Sequence, residues 1–196
     1  MIAETVRDAF SLDKLLFIPS GQPPHKPDDE VIDPEHRFEM VRLSVSSNPY
    51  FEASRMEIER RGYTYTVDTL RALRNKYGPE TELFFIIGAD VIPELTSWRE
   101  YQSVFKLCEF IAVLRPGHSR RDIEIEVKQL REQYDIKIQL TAAPLVDISS
   151  SDIRGRCLEG KSIKYLVTGD TEEYILTNGL YRSKLMNKTT ETNWEN

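Results

Sequence analysis

The chain has 196 residues, 40% apolar and 30% charged, which fits one globular domain or two small ones and excludes a disordered or collagenous polymer. Lys and Arg number 26 against 32 Asp and Glu, and a net charge of −6 disfavours tight non-specific binding to nucleic acid or anionic membrane. Two cysteines, Cys108 and Cys157, are too few for a disulfide framework or a zinc site, and the longest apolar run, residues 83–87, is far short of the roughly 20 residues that span a bilayer.

Ile2, Val6 and Phe10 recur every four residues and predict a helix over 2–10. Glu4, Arg7 and Asp8 interrupt any signal-peptide pattern there, so the expected setting is the cytoplasm, with both thiols reduced. Residues 15–18 read as a short buried strand that Pro19 closes. The loop Gln22-Pro23-Pro24-His25-Lys26-Pro27 must be extended, because proline restricts itself and its predecessor. Asp33 and Pro34 signal a helix start, with Phe38, Val41 and Val45 as its apolar stripe. Residues 50–58 suggest a strand. Val67, Leu70 and Leu73 mark a helix that Gly78 and Pro79 stop. Residues 83–87 and 110–114 are continuous apolar runs, as expected of parallel strands covered on both faces, with a mostly helical stretch between. A helix over 121–134, a strand over 137–140, a helix over 149–158 and one further turn or two at 172–178 complete the order. Residues 182–196 are polar and read as a tail on a domain of residues 1–181. Strands alternating with helices predict an α/β fold on one parallel sheet.

Gly155 to Ser162 spell the phosphate-loop pattern GxxxxGKS. That motif needs a strand before its first glycine, whereas Ile153, Cys157 and Leu158 continue a helix, so Gly160 reads as a helix stop. Ser149, Ser150 and Ser151 head a helix after a strand and loop, and Arg154 follows about one turn on. Exposed amides and the positive dipole end make an anion site there; plain capping accounts for the serines but not for Arg154. Gly88 and Asp90 follow the most buried strand, at the edge where open α/β sheets bind ligands, although a simple capped turn explains them equally well. Trp98 can floor an aromatic ligand or anchor packing. Lys26 and Arg115 also follow predicted strands. Three cations near one sheet rim in an acidic chain point to a polyanionic ligand.

Taken in order, these segments resemble bacterial nicotinate-nucleotide adenylyltransferases. The matching residues are Phe17-Ile18-Pro19 with Pro23-Pro24-His25-Lys26, Tyr65 through Leu70, Phe85 through Asp90, and Trp98. Next come Arg115-Pro116-Gly117, Asp147-Ile148-Ser149-Ser150 with Arg154, Gly160 through Leu166, and Asn178-Gly179-Leu180-Tyr181. The resemblance covers residues 1 to about 181. It implies a Rossmann-like nucleotidyltransferase fold and transfer of AMP from ATP, with Mg²⁺, to nicotinate mononucleotide, giving deamido-NAD and pyrophosphate. Carried over by position, Thr66 and the backbone at Trp98 and Arg99 hold the nicotinate carboxylate, with Trp98 stacked on the ring. Gly88, Asp90 and the backbone near Ile148 hold adenosine. Ser149, Ser150 and Arg154 take the ATP phosphates, with Lys26 and Arg115 assisting. The partners implied are these small molecules alone, and oligomeric state is left open.

The family opens with a strand and a His-x-Gly-His type loop, and Met1 aligns just after that signature, so no catalytic residue is assigned. The expectation is a misassigned start or truncated gene model lacking roughly 20 residues, about a strand plus loop. The chain as numbered would then be crippled, with two parallel strands deprived of a shared central partner. The alternatives are a non-catalytic nucleotide-binding remnant and a sister transferase using pantetheine phosphate or the amidated mononucleotide.

Overall fold

Asp33 accepts a hydrogen bond from the Glu35 amide at 2.8 Å and Pro34 takes the first helical position, so helix α2 (Pro34–Val45) begins where its capping residues dictate. The computed structural model describes residues 1–23, 32–114, 119–144 and 148–182. Before α2 come α1 (Ile2–Ala9) and β1 (Leu15–Phe17). After it follow β2 (Phe51–Ala53), α3 (Thr66–Tyr77) and β3 (Phe84–Gly88). A 3₁₀ helix (Ala89–Ser97), α4 (Tyr101–Leu107), β4 (Glu109–Leu114), α5 (Arg120–Tyr134), β5 (Ile138–Ala142), α6 (Ser150–Leu158) and α7 (Gly169–Thr177) complete the described chain.

All strand pairs are parallel, as expected, but they form two sheets rather than one. β1 pairs with β2, Leu16 opposite Glu52. β3, β4 and β5 lie side by side, with Phe85 opposite Phe110 and Phe110 opposite Ile138. Among the described residues β1 and β3 are each hydrogen-bonded along one edge only and no described strand links them, which matches the expectation that two parallel strands lack a shared central partner. The main core nevertheless reaches both sheets. Val67, Ile92, Leu95, Val104, Phe110 and Ile138 are buried between α3, the 3₁₀ helix and the three-stranded sheet, and Leu16 and Ile18 pack against them. Each such apolar side chain contributes about 1.5–3 kcal/mol on burial.

The largest departures from the sequence reading are these. The strand expected over 50–58 covers Phe51–Ala53 only, and the last helix starts earlier, at Gly169. The stretch after β3 is a nine-residue 3₁₀ helix, and Pro93 inside it lacks the amide a regular helix would use. The GxxxxGKS string is a helix end, as read. Gly155 lies inside α6, Gly160 sits at φ +68° with its amide bonded to the Cys157 carbonyl, and Lys161 pairs with Glu159 at 2.6 Å. Cys108 and Cys157 are free and buried.

A second cluster ties the C-terminal helices to α2. Cys157, Ile163, Ile175 and Leu180 are buried together, with Met40 of α2, Ile153 of α6 and Tyr181 packed against them. His36 Nδ1 and the Tyr174 hydroxyl add a hydrogen bond at 2.8 Å between α2 and α7. Chain through Tyr181 is thus packed, while the tail of residues 183–196 lies outside the described residues.

Candidate functional site

Thr66 is the first residue of α3, and the preceding Tyr65 supplies no side-chain cap. No side chain of Tyr65 therefore competes for the first amides of α3, where the positive end of the helix dipole suits a carboxylate, although the Asp68 amide is already bonded to the Tyr65 carbonyl at 3.1 Å. The Arg99 guanidinium lies 4.4 Å from the centroid of the Tyr65 ring. Trp98, which ends the 3₁₀ helix, meets Phe85 of β3 edge-on with centroids 5.6 Å apart and Phe110 of β4 at 6.3 Å. The structure thus sets Arg99, next to Trp98, against Tyr65, the residue before Thr66. An ion pair at 2.6 Å between Arg71 of α3 and Glu100 fastens the same two segments. Arg71 is the main cause holding the exposed Glu100 carboxyl below its usual pKa.

Gly88 closes β3 and Asp90 is the second residue of the 3₁₀ helix, exposed at the carboxyl edge of the three-stranded sheet. Ile148 is half-buried ahead of α6. Ser149 caps α6, its hydroxyl accepting from the Asp152 amide at 3.0 Å, and Ser150 opens the helix exposed. Arg154 is exposed on α6 and donates to Ser151 Oγ at 2.9 Å. Lys26, Arg115 and Asp147 lie outside the described residues, as do His25 and His118.

Sequence reasoning missed Arg37. It is half-buried on α2, and its guanidinium donates to the carbonyls of Ser20, Gly21 (2.7 Å) and Ile32 (3.1 Å). Burial pulls its pKa below the usual arginine value, offset by Tyr181 and Asp33. The phenol of Tyr181, whose own pKa burial raises, lies within electrostatic reach of both Arg37 and Arg154, so α2 and α6 present cations to one neighbourhood. No sequence pattern marked it, because its partners are backbone carbonyls that only folding brings to it. A cavity of about 350 Å³ opens between the turn after β1 and residues 58–62, with Arg37 and Arg60 in its wall.

The cytidylyltransferase-like family model matches residues 1–156. A "Probable nicotinate-nucleotide adenylyltransferase" of Moorella thermoacetica is 47% identical over 183 residues, covering 93% of this chain and 84% of that protein. One of the same description from Thermoanaerobacter sp. is 43% identical over 180 residues, covering 92% of this chain and 85% of its own. Among solved structures, Plasmodium falciparum nicotinic acid mononucleotide adenylyltransferase complexed with NaAD matches with a TM-score of 0.68 at 20% identity, over 91% of this chain and 89% of that one. That last likeness is one of fold.

Proposed function

We infer the activity from family membership: the chain belongs to the nicotinate-nucleotide adenylyltransferases, within the cytidylyltransferase-like group. It transfers AMP from ATP to nicotinate mononucleotide, releasing deamido-NAD and pyrophosphate, a step of NAD biosynthesis. An oxygen of the mononucleotide phosphate attacks the α-phosphorus of ATP; the new P–O bond forms as the bond to the pyrophosphate oxygen breaks. No covalent enzyme intermediate is required, so the protein's task is to align the reactants and offset charge gathering on the leaving pyrophosphate.

We assign the residues as follows. Thr66 at the head of α3 and the backbone at Trp98 and Arg99 receive the nicotinate carboxylate, with Trp98 stacking on the pyridine. Gly88, Asp90 and the backbone at Ile148 receive adenosine. Ser149, Ser150 and Arg154 take the triphosphate at the N-terminus of α6, assisted by Lys26 and Arg115. The observation that carries the reading is the meeting of Arg99 with Tyr65, 4.4 Å apart, which puts the uncapped first turn of α3 beside the Trp98 segment. Mg²⁺ belongs to the ATP substrate in this reading. Among the described residues no group of three or more His, Cys, Asp or Glu side chains is arranged to cage an ion. No helix among the described residues is long and apolar enough to cross a membrane.

The test is product analysis with Mg-ATP and nicotinate mononucleotide, nicotinamide mononucleotide or pantetheine phosphate, run on this chain and on one extended at its N-terminus. Deamido-NAD and pyrophosphate in equal amounts, with the acid preferred at least tenfold, support the assignment. A preference for the amide or for pantetheine phosphate transfers the reading to a sister enzyme, and ATP binding with no acceptor-dependent product overturns it.

A further inference from the structure

Arg37 holds two separated stretches of backbone with one side chain. Its Nε donates to the Ile32 carbonyl just before α2, while Nη1 and Nη2 donate to the carbonyls of Ser20 and Gly21 in the turn after β1. That turn is itself bound to the approach to α3. Gln22 forms a parallel bridge with Tyr63, and the Gln22 carbonyl accepts from the Thr64 amide at 3.0 Å. Thr64 is 6% exposed and stands two residues before Thr66. The turn also has no slack, because a Cβ at Gly21 would run into the carbonyl oxygen of Glu57. A continuous line of bonded groups therefore runs from the α2 guanidinium through Gly21, Gln22 and Thr64 to the head of α3.

We propose that Arg37 is a positioning residue for the acceptor: by clasping the turn after β1 it fixes the approach to α3 and so the placement of Thr66. The proposal rests on the assignment of Thr66 above for its kinetic consequence, but not for its structural one. Only a planar, forked donor set reaches three carbonyls from one place; a lysine ammonium gathers its three donors on a single atom. Loss of the fork strands half-buried carbonyls without partners, and the turn they belong to relaxes.

The experiment compares the full chain with Arg37→Lys, Arg37→Ala and Gly21→Ala. Hydrogen exchange is followed at Thr64 and, as an internal control for the fold, at β4; initial rates are measured with each substrate varied in turn. Arg37→Ala should speed exchange at Thr64, whose amide is bonded to the Gln22 carbonyl, at least tenfold with β4 protection retained. It should also raise KM for nicotinate mononucleotide about tenfold while KM for ATP moves less than threefold. Arg37→Lys should fall between, and millimolar methylguanidine should restore part of the Arg37→Ala loss. Gly21→Ala, which disturbs the same turn from the other side, should show the same selectivity. Unchanged exchange at Thr64, or equal factors on both KM values, overturns the proposal. Should Arg37→Ala lose β4 protection, the lysine variant is read by the same criteria. If the unmodified chain forms no deamido-NAD, the proposed function fails separately, and the exchange data alone decide whether Arg37 holds the approach to α3.

Discussion

Trp98 meets Phe85 edge-on, with ring centroids 5.6 Å apart and planes at 73°, so the indole is held by the central sheet while remaining half-exposed. Such aromatic pairs contribute about 0.5–1.5 kcal/mol beyond their buried area and fix ring orientation. A held, part-exposed ring is suited to receive a second ring on its open side.

Trp98→Ala is expected to raise KM for nicotinate mononucleotide by ten- to a hundredfold while leaving KM for ATP within threefold, and Trp98→Phe should recover most of the loss. Steady-state kinetics with each substrate varied separates this from plain packing. Equal loss for both substrates would mean that Trp98 only supports the core.

Ser149 offers a test that separates capping from phosphate binding. Aspartate caps helices as well as serine, whereas alanine costs about 1 kcal/mol. Ser149→Asp should therefore keep thermal stability but, by placing a negative charge at the head of α6, raise KM for ATP at least tenfold. Ser149→Ala should lower stability and disturb ATP binding less. If the aspartate variant binds ATP normally, the serine is a cap and nothing more.

Arg154→Ala should raise KM for ATP or lower kcat by ten- to a hundredfold, since its exposed guanidinium, bonded to the Ser151 hydroxyl, stands about one turn from the head of α6. Lys161→Ala should change neither by more than twofold, because the GKS string ends a helix and Lys161 pairs with its neighbour Glu159. The reverse result would restore the phosphate-loop reading.

Stability should fall at alkaline pH through Cys108. Burial pushes its thiol up to about 12 from 9.0, so above about pH 9 the unfolded chain releases a proton that the folded chain retains. The contribution is intact below that pH and declines as pH rises toward 12, by an amount on the order of 3 kcal/mol. Tyr181, raised chiefly by burial, acts in the same direction. Urea titrations at pH 8 and pH 10.5 should show the drop, and Cys108→Ala should flatten it; a slope unchanged in that variant would assign the effect elsewhere.

Much of the fold was legible because local chemistry decided it. Asp33 and Pro34 began α2, Gly78 stopped α3 at φ +88°, and the apolar runs at Phe84–Gly88 and Glu109–Leu114 became neighbouring strands. The division into two sheets was legible only through the family resemblance, since no strand by itself records what its edges find beside them. The strand over 50–58 shrank to three residues because only Leu15–Phe17 was available to pair with it. At the site, Trp98 and Ser149 could be singled out by type and position, and Thr66 only through the family resemblance. Arg37 could not, since its role comes from carbonyls that approach it only in the folded chain.

A crystal of the protein grown with deamido-NAD tests the site assignment most directly. The account predicts the pyridine against Trp98 with its carboxylate at the Thr66 amide, and the diphosphate near Ser149 and Arg154. A nucleotide bound elsewhere, with both ends of that site free of ligand density, would contradict it.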